Sequence, residues 1–271
     1  MKCRYYILLF CAVLGLVGSA RAENTNLVDD LVAVVAQVNA KLSSGKAVEQ
    51  DFADDLKKFD DLHAKYKGDQ SEASELLLVN KATIYEVFGE YEKAAAVYRQ
   101  FKTDFPGTKF DVDARLAELQ RVIDKQNIRR ALVPGVKAPE FDEKDIYGKP
   151  FSIASRKGKV VLIDFWATWC AACVQEMPDV IDIYDKYHDQ GLEILGVSMD
   201  VNKPKLDAYL IGAGVKWPQF FDGQYWDNKL AAQYGVDSAP TTYLLDRDGK
   251  IIAVNLPPQD LDAAVAKALK Q

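Results

Sequence analysis

The chain has 271 residues, with 34 lysines and arginines against 40 aspartates and glutamates and a net charge of −6. That acidic balance argues against nucleic acid or an anionic membrane surface as a partner, because both are bound through a basic face. With 49% hydrophobic residues, a chain of this length buries a large core without disulfide staples, so its four cysteines ask for another explanation.

Residues 1–22 have the layout of an export signal. Lys2 and Arg4 precede an apolar stretch from Tyr5 to Val17, and Ala20-Arg21-Ala22 offers cleavage after Ala22. The apolar run is shorter than the roughly 20 residues of a membrane-spanning helix. An uncleaved anchor or a lipid on Cys11 is the weaker alternative, since Cys11 sits inside the run without small residues before it. The expectation is a periplasmic or otherwise exported protein, soluble after cleavage. Losing the signal removes Cys3 and Cys11, leaving Cys170 and Cys173 and 31 basic against 40 acidic residues.

From residue 23 to 130, apolar residues recur at three-and-four spacing with few β-branched runs, which predicts helices near 26–43, 49–66, 71–88, 90–104 and 109–129. An offset of 39 residues superposes Phe52 on Tyr91, Phe59 on Tyr98, Leu62 on Phe101, Tyr66 on Phe105 and Leu77 on Leu116. Helical hairpins stacked in this way would resemble a tetratricopeptide array, whose period is about 34 residues. A plain helical bundle with core aromatics fits as well. Neither carries a catalytic cluster, so this domain is expected to dock a protein partner or to self-associate.

"ALVPGVKAP", residues 131–139, interrupts the helical pattern with two prolines and a glycine and reads as a linker. From 140 to 271 the texture alternates. Strand-like "KVVLIDFWA" leads to a helix from about 170 to 188, and "LEILGVSMD" to helices near 203–213 and 227–234. "TTYLLD" and "KIIAVNL" flank the turn signal "RDGK", and a last helix runs from about 258 to 269. This is an α/β layer structure.

Cys170 and Cys173 stand where the first of these strands gives way to a helix. A staple closing two residues constrains the unfolded chain very little. A zinc site needs about four ligands, and the only histidines are His63, in the helical domain, and His188, a long helix away. A redox pair fits best. At a helix N-terminus, free N–H groups and the dipole favour a thiolate, so Cys170 is the expected exposed nucleophile and Cys173 the thiol that resolves the mixed disulfide. Resolution needs a proton acceptor, and the candidates are Asp164, inside the apolar strand, and Glu176, one helical turn beyond Cys173.

The stretch from about 136 to 271 resembles the TlpA/ResA-like branch of the thioredoxin family. "VKAPEFDEKDIYGKPFSI" is similar to that branch's N-terminal hairpin, "KGKVVLIDFWATWCAACVQEMP" to its active-site strand and helix, and "GVDSAPTTYLLDRDG" to its cis-proline loop. The resemblance implies a thioredoxin-like fold, a central mixed sheet flanked by helices, here preceded by an all-α helical-hairpin domain. It implies a cis bond before Pro240, with Ala239 and Pro240 holding substrate backbone and Trp169 facing the partner. It also implies a redox-active Cys170–Cys173 disulfide, no other cofactor, exported thiol or disulfide proteins as substrates and a membrane dithiol as electron donor. Ala172 departs from the proline that the family usually places before the second cysteine. Residues between the cysteines set the balance of dithiol and disulfide, so the oxidase or isomerase direction stays open beside the reductase, as does an adaptor that only binds clients. A peroxiredoxin would want Pro-x-x-x-Thr-x-x-Cys, and "DFWATWC" has no such proline.

Overall fold

The structure is a computed structural model that describes residues 25–45 and 48–270. The reading of residues 1–22 as an export signal falls outside these described residues.

The chain divides between Ile123 and Asp124 into two compact units. The first is all helical: α1 (Thr25–Ser43), a 3₁₀ turn (Glu49–Phe52) leading into α2 (Ala53–Lys65), α3 (Glu72–Val87), α4 (Tyr91–Asp104) and α5 (Val112–Ala131), whose last residues belong to the second unit. The 39-residue offset carries the start of α2 onto that of α4, and of α3 onto α5, to within one residue. Two apolar clusters explain the stacking. Leu31, Val38, Phe52, Phe59 and Leu77 form one, and Ala82, Tyr98, Phe101, Phe105 and Leu119 the other. Helix α3 contributes to both, Leu77 to the first and the next residue, Leu78, to the second. A helix buried on two sides loses its single apolar stripe.

The second unit opens with a short antiparallel hairpin, β1 (Asp142–Lys144) and β2 (Pro150–Ser152). There follow β3 (Val160–Trp166), α6 (Ala171–Tyr187), β4 (Leu192–Ser198), α7 (Lys203–Ala213), β5 (Gln219–Phe221), α8 (Lys229–Gln233), β6 (Thr241–Leu245), β7 (Ile251–Val254) and α9 (Pro258–Ala268). The sheet order is β5-β4-β3-β6-β7, with β3, β4 and β5 parallel and β6 and β7 antiparallel to their neighbours. This is the thioredoxin-like mixed sheet. Every residue of the central β3 is buried, as a strand covered on both faces must be. Period two sends Leu162, Asp164 and Trp166 to the face covered by α6 and α9, while Ile163 and Phe165 point to the other, where Phe165 meets Tyr234 and Tyr243.

The segment 131–139 is no free linker. Gly135 and Ile251 exchange backbone bonds with their neighbours along the edge, Gly135 N–H to the Ile251 carbonyl and Ile251 N–H to that of Val136, and Ala138 N–H reaches Gly249. The edge strand β7 is thereby covered. The end of α5 is seated in the same unit: Arg129 pairs with Asp237, and the helix backbone approaches Gly235 so closely that a Cβ there would overlap the Lys125 carbonyl and lie 2.9 Å from Arg129 N. Gly235 also holds φ +63°, which disfavours any side chain. Gly235→Ala is therefore expected to lower stability by about 3 kcal/mol or more. Urea unfolding of the full chain measures this, and a loss under about 1 kcal/mol would mean the helix end is not held there.

Candidate functional site

The site forms where β3 ends and α6 begins. The Trp166 carbonyl accepts from Met199 N–H at 2.8 Å, tying the end of β3 to the segment after β4. The next residues are held by one buried carboxylate, Asp200, which accepts from the Thr168 N–H (3.0 Å), the Thr168 hydroxyl (2.6 Å) and the Ser198 hydroxyl (2.9 Å). Below it, the Trp166 indole donates to Gln219 Oε1 at 2.9 Å. The loop that presents the cysteines is thus fixed from beneath.

Cys170 is the N-cap of α6, extended at φ −86° and ψ 105°, and its sulfur accepts from Cys173 N–H at 3.2 Å. Cys170 and Cys173 are joined as a disulfide with Cα atoms 5.2 Å apart. The expected exposure of Cys170 needs correction: it is 7% exposed against 3% for Cys173. The loop 238–240 accounts for this, since the Ala239 carbonyl oxygen lies 3.4 Å from the Cys170 sulfur. The Ala239–Pro240 peptide is cis, and both residues are half-buried beside the pair. Trp169, by contrast, is 43% exposed.

Asp164, Cys173 and Glu176 line one narrow cavity together with Pro240, Thr242 and Leu261. Its volume of about 20 Å³ has room for about one water. Asp164 is 4% exposed, and burial first, then the Glu176 carboxylate, pushes its pKa up to about 7. Glu176 is half-buried and is raised as well, by burial and then by Asp179. Beside the inner sulfur, Asp164 can take or return a proton near neutral pH, and Glu176 is a second carboxyl shifted in the same direction.

The structure therefore brings together all seven residues singled out in the sequence: Asp164, Trp169, Cys170, Cys173, Glu176, Ala239 and Pro240. It also adds residues that sequence reasoning missed. Asp200 and Thr168 are joined across 32 positions by side-chain geometry that no local pattern announces. Tyr225 and Trp226, on the loop before α8, pack against Trp169; the adjacent aromatics "YW" were the only signal. Among the described residues, no group of three or more His, Cys, Asp or Glu is placed to hold a metal.

Comparison with known proteins puts this geometry in context. Residues 134–254 match the AhpC/TSA family. The thiol-disulfide oxidoreductase ResA of Bacillus thuringiensis (strain Al Hakam) is 37% identical over 119 residues, which cover 44% of this chain and 66% of that protein. ResA of Geobacillus thermodenitrificans is 37% identical over 123 residues, covering 45% and 69%. The chain thus spans just under two thirds of the first relative's length. Among solved structures, the thioredoxin domain of a thiol-disulfide oxidoreductase from Bacteroides vulgatus is 31% identical with a TM-score of 0.47, covering 50% of this chain and 97% of that one. A thiol:disulfide interchange protein from Bacteroides sp. is 30% identical with a TM-score of 0.47, covering 52% and 93%.

Proposed function

We propose a function for a chain that belongs to the ResA-like thiol-disulfide oxidoreductases: it reduces disulfides of exported proteins by dithiol–disulfide exchange through Cys170 and Cys173. The observation that carries this reading is the Cys170–Cys173 disulfide capping α6, with its inner sulfur in the same cavity as Asp164 and Glu176.

In the reduced chain the Cys170 thiolate attacks one sulfur of a substrate disulfide. A mixed disulfide forms and the first substrate thiolate leaves. Cys173 then gives its proton to the Asp164–Glu176 pair, directly or through one water, and attacks the Cys170 sulfur. The Cys170–Cys173 disulfide forms and the second substrate thiolate departs. Two electrons have passed to the substrate, whose thiolates take up protons. A membrane dithiol donor returns the pair to the reduced state by the same steps reversed. Ala239 and Pro240 line the approach to Cys170 and would hold substrate backbone there.

An exported, periplasmic setting is supported by the pattern of residues 1–22, and no described helix is long and apolar enough to cross a membrane. An apocytochrome c or another exported thiol protein fits as client, which would place the chain in cytochrome c biogenesis. The helical unit, read as a tetratricopeptide-like array of hairpins or as a plain bundle, would dock a protein partner or self-associate.

Ala172 in place of the usual proline leaves open a second reading, in which the same pair runs as an oxidase or isomerase. The reduction potential of the couple in the full chain separates the two. A value near about −270 mV is expected for the reductase, and one near about −120 mV would reverse the direction proposed here.

A further inference from the structure

Beside Cys170 lies a surface that the exchange steps do not use. The Trp169 ring packs on Tyr225, with centroids 5.0 Å apart, and on Trp226 at 5.5 Å. Tyr225 and Trp226 meet edge-on, also at 5.5 Å. Tyr225 is 42% exposed, so two rings of this three-ring corner face solvent, and one of them belongs to the residue next to the redox sulfur. Val174, whose N–H bonds the Cys170 carbonyl, and Val201, next to Asp200, add exposed apolar surface around the same loop.

The corner is held rigidly. Tyr225 has φ +54°, a left-handed conformation that bulky side chains avoid. The loop keeps it there through Asp222, which accepts from Gln224 N–H, Lys229 N–H and the Asn228 side chain. Asn228 in turn caps α8 through Leu230 and Ala231, and Lys125 Nζ donates to the Trp226 carbonyl at 2.8 Å. A ring fixed in advance loses little freedom when a partner covers it. Aromatic side chains presented in this way are the common anchors of protein recognition.

We propose that Tyr225 and Trp226, with Trp169, form a specificity-determining subsite for an aromatic or large apolar side chain flanking the target cysteine in an extended segment of the substrate protein. This rests on the exchange reading above, because a segment whose sulfur reaches Cys170 must pass beside Trp169. An incoming aromatic ring can stack or meet these rings edge-on. Asp222 and the exposed Asp227 on the same loop disfavour an acidic side chain there.

The test uses the reduced full chain and two short synthetic peptides, each with one cysteine in mixed disulfide with thionitrobenzoate. In one the cysteine is flanked by tryptophans, in the other by alanines. Release of thionitrobenzoate is followed by absorbance, with each rate normalised to the peptide's reaction with dithiothreitol and a small symmetrical disulfide as control. The wild-type chain is expected to prefer the tryptophan peptide by roughly five- to tenfold. Tyr225→Gly keeps the left-handed backbone but removes the ring; it should reduce the preference to below about twofold while leaving the small disulfide's rate unchanged, and Tyr225→Phe should restore it. A reactive wild type without preference, or a preference that survives Tyr225→Gly, overturns this subsite alone. A wild type inert even to the small disulfide overturns the exchange reading and the subsite with it.

Discussion

Cys173→Ser is expected to stop the protein as a covalent adduct joined to its substrate through Cys170. The first attack needs only the Cys170 thiolate at the N-terminus of α6, where its sulfur already accepts the Cys173 N–H and the helix dipole favours negative charge. The second needs the Cys173 sulfur, and serine oxygen does not open a disulfide. Turnover should fall on the order of 10³-fold or more, as when a nucleophile is removed, while the first thiolate is still released once per chain. Non-reducing electrophoresis and intact-mass measurement read the adduct, which a dithiol should reverse. Cys170→Ser should form none. An adduct through Cys173 in that variant would invert the assigned order, and its absence in Cys173→Ser would remove the exchange mechanism.

In a chain that keeps Cys173, Asp164→Asn should slow resolution of the mixed disulfide by about 10²-fold or more while leaving the first attack nearly unchanged, because a positioned general base contributes about 10²–10⁴-fold. The wild-type resolution rate should rise with pH through about 7, where Asp164 loses its proton. In the variant that inflection should disappear, and only the weaker contribution of Glu176 should remain. A variant with an unchanged pH profile would place the proton acceptor elsewhere.

The same substitution has an effect on stability of known sign. The folded-state pKa of Asp164, about 7, lies above the ordinary aspartate value of 3.8, so between these values the native state holds more proton than the unfolded chain. The contribution of Asp164 to stability is then fully present below about pH 4, declines as pH rises through the window and is lost above about 7. The shift corresponds to about 4 kcal/mol between the two ends. The asparagine variant should lose this slope, matching the wild type in acid and exceeding it at pH 8. Urea midpoints of the oxidised full chain across pH 4 to 8 measure it, and parallel wild-type and variant curves would contradict the burial of an ionising Asp164. A group that weakens the native state above neutrality is the kind that a site keeps for its chemistry.

Much of the site was legible in residue order because strand, turn and helix follow one another in sequence. The unbroken apolar run in "KVVLIDFWA" put Asp164 inside a buried strand, and the strand-to-helix change after it placed Cys170 at a helix start. Helices α1, α3, α4 and α9 fall within a residue or two of the predicted spans. The start of α2 does not, because residues 49–52 wind as a 3₁₀ turn, and α5 begins at Val112 rather than near 109. Segment 131–139 carries true chain-breaking residues, yet its backbone groups find partners on the β7 edge; local composition says where regularity ends and is blind to a neighbour more than a hundred residues away.

What the sequence by itself determined is the local part of the chemistry: two thiols three positions apart at a helix start, an acid in an apolar strand and another one turn along the helix. These follow from periods of two and 3.6, which need only neighbours in the chain. What only the tertiary structure decided is how those groups are enclosed and what frames them. Loop 238–240 brings the Ala239 carbonyl against Cys170 and so buries a sulfur that a helix start alone would leave open. Packing of α6 against α9 and the sheet makes the cavity that raises Asp164 to about 7, and distant loops supply Asp200 beneath the cysteines and Tyr225 and Trp226 beside them. Desolvation and ring contacts depend on atoms that meet only when the chain has folded, and no spacing along the chain encodes them.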